Sequence, residues 1–391
     1  MRIGFVQHGD YKQAWERFNQ GGEETYYAQR YSVDFVEKLT KKFEFVGICA
    51  MIGDTPYEEA LTERLTSACI PAQAGGPLNE SAIIEMLEKW RVNYLVLQTP
   101  ARRVLDWALK SNIRTFPLFA DSWEENSLRG RIRGYRLAKL LNKSRVPMVG
   151  NHNIPASLSL KKIGVKPEKI FPWDWPHEHT PDKYAVKECP KEKAPLLFVG
   201  QISEAKGVGD CLDAAAILKK EGVDFHWRFI GGGDFEERAR KRVKDEGLSN
   251  CVEIAGKQSH DAVIAATKAA AVSIVPSRHI YPEGLPMTIY EALATRTPLV
   301  LSNHPMFRSF FSNTPAAQMV EEKSPDAIAA SIKSLLSDEA QYTAASEATG
   351  ALWHKVRVDV TWGTLIERWI DSPRRPAQSI MNKSLLARLG G

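Results

Sequence analysis

The residues with the clearest chemical potential are two glutamates in the segment Glu283-Gly-Leu-Pro-Met-Thr-Ile-Tyr-Glu291. The apolar run Val272–Val275 before them predicts a strand, and Pro286 is predicted to open a helix, because a proline in the first helical turn loses no needed N–H. The start of a helix presents free N–H groups and a partial positive charge, which favour an anion such as a phosphate. Carboxylates next to such a site can accept hydrogen bonds from hydroxyl groups. The segment therefore suits a ligand that carries both phosphate and hydroxyl groups, such as a nucleotide-sugar.

Two further loops follow predicted strands in the same half of the chain. The segment Val199-Gly-Gln-Ile-Ser-Glu-Ala-Lys-Gly207 contains a lysine, and Phe229–Phe235 contains three consecutive glycines. Ligands of parallel sheets bind beyond the carboxyl ends of the strands, so the three loops predict one site. The glycine-rich loop lacks the full Gly-x-Gly-x-x-Gly pattern of dinucleotide binding. Tight packing of a strand against a helix explains its glycines equally well.

Strand-like and helix-like segments alternate along the chain, which is typical of parallel sheets covered by helices. A stretch rich in proline interrupts the pattern, and a new strand begins at Leu196. The sequence therefore predicts an α/β protein with two Rossmann-like domains. We expect an N-terminal domain over 1–172, a linker over 173–195, a C-terminal domain over 196–358, and a disordered basic tail over 373–391.

The bulk composition excludes several classes of protein. With 391 residues, 43% hydrophobic and 25% charged, the chain fits two soluble domains, and its net charge of +5 does not by itself imply nucleic acid. Five scattered cysteines lack metal-ligand spacing and are typical of reduced thiols in a cytosolic protein. The segment Met1–Val6 predicts a strand rather than a signal peptide, and no apolar run is long enough to span a bilayer. We therefore expect a cytoplasmic protein.

With the preceding strand, the Gly-Leu-Pro turn and the following Glu-Ala-Leu-Ala, the two glutamates resemble the Glu-x7-Glu signature of the family 4 retaining glycosyltransferases. The resemblance is clear over 196–310 and diffuse over the first 170 residues. It implies the GT-B fold, two Rossmann-like domains with parallel sheets facing across a cleft, with a helix over 359–372 that crosses back to the N-terminal domain. It also implies sugar transfer from a nucleotide-diphosphate-sugar to a hydroxyl of a glycan or lipid-linked acceptor, with retention at the anomeric carbon and without a metal or other cofactor. A uridine donor and a bacterial envelope polysaccharide follow from family frequency alone.

The resemblance assigns roles to residues of the C-terminal half. It implies that Glu283 holds the sugar hydroxyls and that Lys206 neutralises the departing diphosphate, so both are expected to be catalytic. Glu291 is expected to hold the ribose. Gln201 stands where the family has an arginine, and we predict that Arg278 compensates for the missing charge. The expected donor-binding residues are Gly200, Gln201, Lys206, Gly231, Gly232, Arg278, Glu283, Gly284, Leu285, Pro286, Met287 and Glu291.

The N-terminal half is expected to bind the acceptor. The segment Gln20-Gly-Gly-Glu-Glu24, placed after the first strand, resembles the glycine loop near the reaction centre of the family, so Gly21 and Gly22 are candidate acceptor-side residues. His8 and His152 lie at the ends of predicted strands and are further candidates. Family members often carry a histidine after the strand predicted at Thr115–Phe119. Here Asp121 is predicted to take that catalytic role, or to act as a helix N-cap.

A basic amphipathic helix is predicted between residues 129 and 145, where seven lysines and arginines occur without an acidic residue. It is interpreted either as a solvated face or as a surface for anionic lipid headgroups or a lipid-diphosphate acceptor. The second interpretation makes the protein peripheral on the inner face of the cell membrane. Nucleic-acid binding is not expected, because no recognised module accompanies the charge.

Two alternative functions remain open. The same fold supports nucleotide-sugar epimerisation, and a degenerate enzyme could bind a nucleotide-sugar without catalysis. Gln201, the absent histidine, and Arg296 at a position usually occupied by glycine favour a degenerate protein. Lys206, Glu283 and Glu291 favour an active enzyme.

Overall fold

The structure, a computed structural model of the chain, describes residues 1–53, 55–72, 78–120, 122–123, 127–376 and 378–389. It divides into two compact units. The first comprises Met1–Glu24, Ala28–Pro176 and Val358–Gly391, and the second comprises Thr25–Tyr27 and His177–Arg357. The segment 173–195, predicted as a linker, is divided between them, because 173–176 belong to the first unit and 177–195 to the second.

The first unit contains a sheet covered by helices. Its strands are β1 (Arg2–Gln7), β2 (Phe45–Ala50), β3 (Tyr57–Ala60), β4 (Leu65–Cys69), β5 (Tyr94–Leu97), β6 (Arg114–Phe119), β7 (Val149–His152) and β8 (Ile170–Trp173). Its first helices are α1 (Tyr11–Asn19), α2 (Gln29–Leu39), α3 (Glu80–Lys89), α4 (Arg102–Lys110), α5 (Leu128–Leu141) and α6 (Ile154–Lys162). The strand order is β3-β4-β2-β1-β5-β6-β7-β8. The strands are parallel except for β3, which pairs antiparallel with β4 at one edge.

The second unit repeats this architecture. Its strands are β9 (Ala194–Val199), β10 (Phe225–Ile230), β11 (Val252–Gly256), β12 (Val272–Val275), β13 (Leu299–Ser302) and β14 (Ala317–Val320). Its helices are α7 (Val208–Lys220), α8 (Glu236–Asp245), α9 (His260–Ala269), α10 (Met287–Ala294), α11 (Pro305–Phe311), α12 (Pro325–Ser337) and α13 (Glu339–Val356). The strands pair in parallel in the order β11-β10-β9-β12-β13-β14. Every residue of β12 and β13 is buried, as expected for strands covered by helices on both faces.

The helix pattern predicted for the start of the second unit is present in α7. Val208, Cys211, Leu212, Ala215 and Leu218 are all buried and pack in the core of the second unit. The helix ends before Gly222, which has a φ of +73° and can adopt this left-handed conformation because it lacks a Cβ. This helix is important for the site because the loop before it carries Lys206.

The chain returns to the first unit after α13, through α14 (Trp362–Asp371) and α15 (Leu385–Leu389). Helix α14 packs its aromatic side chains on the first sheet, where Trp369 stacks on Phe116 with ring centroids 5.5 Å apart. The tail was expected to be disordered, but the structure gives it a short 3₁₀ segment, Gln378–Lys383, followed by α15. Its apolar residues Ile380 and Leu385 are buried in the first unit, which explains why this part of the tail is ordered.

Candidate functional site

Three loops meet at the carboxyl ends of neighbouring strands in the second unit. Strand β9 lies between β10 and β12, and the loops that follow these strands lead into α7, α8 and α10. These are the three loops predicted from the sequence to form one site. The arrangement matches the general rule that open parallel sheets bind ligands at this edge.

Glycines allow the first two loops to approach each other closely. A Cβ on Gly231, whose φ is +144°, would lie 1.8 Å from the backbone oxygen of Gly200. A Cβ on Gly233 would lie 2.4 Å from the backbone oxygen of Ile202. The loops are also joined by hydrogen bonds from Ile202 N to Gly232 O and from Phe235 N to Ile202 O. Close loop packing therefore accounts for Gly231 and Gly233, whether or not a nucleotide contacts them.

The side chains of Lys206 and Glu283 are paired, although they are far apart in the sequence. Lys206 Nζ donates to Glu283 Oε1, and Ser277 Oγ donates to the same oxygen at 2.5 Å. The Tyr281 ring lies below the ammonium group, with Nζ 4.1 Å from the ring centroid. Glu283 is only 4% exposed. The site therefore places a fixed cation next to a fixed carboxylate. A ligand that carries both phosphate and hydroxyl groups requires both of these partners.

Helix α10 presents its start to this pair. Pro286 is the N-cap residue rather than the first helical residue, with φ −60° and ψ 141°. In the described part of the chain, no acceptor lies within hydrogen-bonding distance of the backbone N–H groups of Gly284 and Leu285. Together with the dipole of α10, these N–H groups can receive an anion without displacing another partner.

Glu291 lies in the second turn of α10 and is 5% exposed. It accepts a hydrogen bond from His260 Nε2 at 3.1 Å. The His260 ring also contacts Tyr27 edge-on, with centroids 5.1 Å apart, and lies 6.5 Å from the ring of His179. Burial, and to a lesser extent His260, lower the pKa of His179 below its ordinary value. The expected ribose-binding carboxylate is therefore bonded to His260, a residue that could not be assigned to the site from the sequence.

Arg278 holds two carboxylates of its own unit. Its Nε and Nη2 donate to the two oxygens of Asp210 at 3.0 and 2.9 Å, and its Nη1 donates to Glu204 at 3.3 Å. The hydrogen bonds to Asp210 raise the pKa of Arg278 above its ordinary value. Its backbone N–H also donates to Ala205 O at 2.9 Å. Arg278 thus ties the Lys206 loop to the segment after β12, while the exposed Gln201 carries no charge. That Arg278 compensates for the positive charge missing at Gln201 stays a prediction.

The glycine pair of the first unit follows β1, as expected, with helix α1 between the strand and Gly21. Gly21 has a φ of +78°, and its N–H donates to Phe18 O while that of Gly22 donates to Arg17 O. These bonds end α1, and this explains both glycines without an acceptor.

The remaining candidates of the first unit occupy different environments. His8 is exposed directly after β1. His152 is buried at the end of β7, where its Nε2 lies 3.2 Å from Oδ1 of the fully buried Asp174. Asp174 also accepts from the backbone of Trp175, so His152 takes part in an internal polar network. Asp121 lies outside the described residues.

Within the described ranges, no group of three or more histidine, cysteine, aspartate or glutamate side chains is placed so that it could hold a metal ion. No helix in those ranges is both long and apolar enough to cross a membrane.

Sequence comparison bears on the same unit. Residues 181–350 match the family described as Glycosyl transferases group 1. The amylovoran biosynthesis glycosyltransferase AmsK of Erwinia amylovora is 25% identical over 186 residues, which cover 47% of this chain and 43% of AmsK. The matched part of the chain thus spans less than half the length of this relative.

Structural comparison covers both units. Sucrose-phosphate synthase from Thermosynechococcus elongatus gives a TM-score of 0.66 at 16% identity, covering 95% of this chain and 98% of the synthase. Anabaena HepE, solved in complex with UDP and glucose, gives a TM-score of 0.66 at 13% identity, covering 95% of this chain and 100% of HepE. At these identities the likeness shows the fold alone. The predicted GT-B fold, with two parallel-sheet α/β units, is confirmed.

Proposed function

We propose that the protein is a metal-independent, retaining glycosyltransferase that moves a sugar from a UDP-sugar to a hydroxyl of a glycan or lipid-linked acceptor, in the synthesis of a bacterial envelope polysaccharide. The observation that carries the proposal is the pairing of Lys206 and Glu283 beside the start of α10, inside the segment that matches the Glycosyl transferases group 1 family. The printed function of AmsK supports the polysaccharide, and the UDP bound in HepE supports the uridine donor.

In this proposal, each part of the site binds one part of the donor. The N–H groups of Gly284, Leu285 and Met287 and the ammonium of Lys206 hold the diphosphate, with Gln201 as a neutral donor. Glu283 holds sugar hydroxyls, and Glu291 accepts hydrogen bonds from the ribose. Fixed donors of this kind act where charge develops, and removing one typically lowers turnover by ~10² to 10³.

The chemical step follows from this placement. The acceptor hydroxyl attacks the anomeric carbon on the face that the leaving phosphate vacates, and a phosphate oxygen takes the hydroxyl proton. Lys206 stabilises the negative charge on the departing diphosphate, and Glu283 stabilises positive charge at the anomeric centre. The acceptor hydroxyl is brought to the site by the first unit, for which Asp121, His8, His152, Gly21 and Gly22 remain proposed contacts.

Calorimetry with UDP, GDP and ADP tests the donor assignment. We expect UDP to bind the wild type, and Glu291→Ala to weaken this binding about tenfold, since a hydrogen bond to a charged group contributes ~1.5 kcal/mol or more. Lys206→Ala is expected to abolish turnover. If none of the three nucleotides binds at millimolar concentration, the donor assignment is wrong.

The ion pairs of Arg278 favour one alternative, a nucleotide-sugar-binding protein without catalysis. With Arg278 paired to Asp210 and Gln201 uncharged, the leaving group gains less positive charge than the family pattern provides. Arg278→Ala tests whether this arginine compensates for the charge missing at Gln201 or only pairs with Asp210. Turnover within twofold of the wild type rules out a role in compensation. Product analysis with donor alone tests the remaining alternative, an epimerase, which would convert the sugar without an acceptor.

We also propose a cytoplasmic protein that contacts the anionic inner face of the cell membrane through residues 129–145. Helix α5 covers 128–141 of this segment, and its exposed residues include Arg129, Arg131 and Lys139. Sedimentation with neutral and anionic vesicles tests this contact, because equal pelleting with both would exclude an electrostatic one.

A further inference from the structure

A basic groove lies between α4 and α5 in the first unit. It contains two cavities of about 460 and 560 Å³, both lined by Arg102 and Arg103. The first is also lined by Arg133, and the second by Arg136 and Lys110. Among the described residues that line the groove, five are basic and two are acidic, Glu80 and Asp106.

Both acidic residues are already engaged. The Glu80 carboxylate accepts hydrogen bonds from the backbone N–H groups of Arg103 and Val104, at 2.6 and 3.1 Å, and so caps the start of α4. Asp106 pairs with Lys110 at 2.7 Å and with Lys143 at 3.3 Å, and the hydrogen bond from Lys110 lowers the pKa of Asp106. Within the described part of the chain, the side chains of Arg102 and Arg136 take part in no hydrogen bond or ion pair.

The groove begins at the ligand-binding edge of the first sheet. Arg102 and Arg103 are the first two residues of α4, which follows the carboxyl end of β5. Two arginines at the start of a helix oppose the helix dipole, and the Glu80 carboxylate that caps α4 offsets part of this cost. Trp123 and Leu137 add apolar surface at this end, and Trp107 adds more along α4.

An exposed apolar stripe borders the arginines on α5. Leu128, Ile132 and Tyr135 are 71%, 45% and 66% exposed, and their spacing places them on one face of the helix. Ile132 precedes Arg136 by one turn, so the stripe and the groove are adjacent. A ligand that suits both has an anionic head and an apolar chain.

We propose that this groove binds the phosphate or diphosphate of a lipid-linked acceptor, with the lipid lying along the apolar stripe of α5. The inference rests on the proposed glycosyl transfer and names the chemical class of its acceptor. Arginine forks suit phosphate oxygens, and the surplus of positive charge suits a group with more than one negative charge. A general anionic membrane surface is the other source of the same phosphate chemistry.

Calorimetry with four probes separates a lipid-linked acceptor from a membrane surface. The probes are geranyl diphosphate, inorganic pyrophosphate, geraniol and vesicles containing phosphatidylglycerol. We expect geranyl diphosphate to bind more tightly than pyrophosphate and geraniol not to bind. The double variant R102Q/R136Q should weaken geranyl diphosphate binding about a hundredfold, since each of the two lost charge-assisted hydrogen bonds corresponds to about tenfold (~1.4 kcal/mol). L128S/I132S should reduce its affinity to that of pyrophosphate.

The matched control is R374Q/R375Q, which removes the same charge from two exposed arginines of the tail. An equal loss of geranyl diphosphate binding in the control would overturn the proposal, as would an unchanged affinity in R102Q/R136Q. Binding to anionic vesicles alone would assign the surface to the membrane and also overturn the proposal.

UDP affinity, measured on the same variants, separates this inference from the proposed function. If UDP binds and geranyl diphosphate does not, the groove assignment fails alone. If geranyl diphosphate binds through the arginines and UDP does not bind, the donor assignment fails alone.

Discussion

The contact between His260 and Glu291 leads to a specific prediction about donor affinity. Glu291 is buried at 5% exposure, and His260 Nε2 donates to its Oε1 at 3.1 Å. In the described part of the chain, His260 is the one side chain that donates to this carboxylate. The histidine therefore fixes the orientation of Glu291 and leaves its remaining lone pairs for ribose hydroxyls.

The expected magnitude follows from the burial of the pair. A hydrogen bond to a charged group contributes ~1.5 to 3 kcal/mol when its partner is left buried and unpaired. Water can enter the space vacated by His260, which is partly exposed, so we expect the lower value for His260→Ala. A loss of ~1.4 kcal/mol corresponds to tenfold weaker UDP binding. Because the ribose is bound equally in the ground and transition states, KM should rise while kcat stays unchanged.

A double-mutant cycle tests this reasoning. UDP affinity is measured by calorimetry for the wild type, H260A, E291A and H260A/E291A, with H260Q as the variant that can still donate a hydrogen bond. We expect H260Q to recover most of the affinity, and the two alanine changes to be coupled by ~1 kcal/mol. His354→Ala, at an exposed histidine on α13, is the control. Additive effects, or a fall in kcat at constant KM, would refute the role assigned to His260.

Three further predictions concern the second unit. Tyr281→Leu should weaken UDP binding about threefold or more in calorimetry, because the ring contact with Lys206 contributes ~0.5 to 2 kcal/mol. Tyr281→Phe keeps the ring and should not weaken binding. Equal losses in both variants would exclude this contact. Burial lowers the pKa of Lys187 from 10.5 to about 7, so between these values the unfolded chain binds more protons than the folded chain. The free energy of unfolding in urea should therefore rise with pH across this window, by at most ~1.4 kcal/mol per pH unit, and Lys187→Met should remove that slope. Arg296 has a φ of +63°, a left-handed conformation in which a side chain with a Cβ is strained. The free energy of unfolding in urea should therefore be ~1 kcal/mol higher for Arg296→Gly than for Arg296→Ala. The reverse order would contradict a strained backbone at this position.

The conformation of Arg296 also explains a departure noted in the sequence. The residue follows the end of α10 in the left-handed conformation that glycine adopts without strain. Its guanidinium donates to Pro181 O at 3.2 Å and to Glu347 O at 3.4 Å, both within the second unit. These contacts offset part of the strain. Arg296 is therefore explained by the packing of its own unit, and it does not bear on whether the site is active.

The sequence predicted the second unit more closely than the first. Strands β9, β10 and β12 are short, mostly apolar and mostly buried, so both their existence and the loops after them could be predicted. Strand β4 could not, because Leu65-Thr-Ser-Ala-Cys69 lacks an apolar run, and its burial comes from pairing with β2. Strand β8 contains Pro172 and lies at a sheet edge, where a proline is tolerated. It was therefore assigned in part to the linker.

Within the site, the residues that were missed are those whose contacts are distant in sequence or whose types are common. Lys206 and Glu283 could be predicted because each lies in a recognisable loop. His260 lies 31 positions from Glu291, and nothing in its own segment indicates the contact. Asp210 is 68 positions from Arg278 and reads as an ordinary acidic residue in the first turn of a helix. Ser277 was visible as part of the Pro-Ser end of the strand, but its bond to Glu283 depends on the turn between them.

Each of the two cations of the candidate site, Lys206 and Arg278, is paired with a carboxylate. Lys206 holds Glu283, and Arg278 holds Asp210 and Glu204, so these five residues carry no surplus positive charge. A diphosphate alone must therefore rely on the N–H groups at the start of α10, or separate Lys206 from its carboxylate. In the proposed reaction, a nucleotide-sugar removes this conflict, because its sugar hydroxyls replace Lys206 at Glu283 and its diphosphate replaces Glu283 at Lys206. The two halves of the donor then assist each other's binding, and a nucleotide without its sugar cannot gain this advantage. Gln201 fits the same scheme. A neutral side chain in the loop that carries Lys206 adds no charge, so the exchange of partners selects the complete donor.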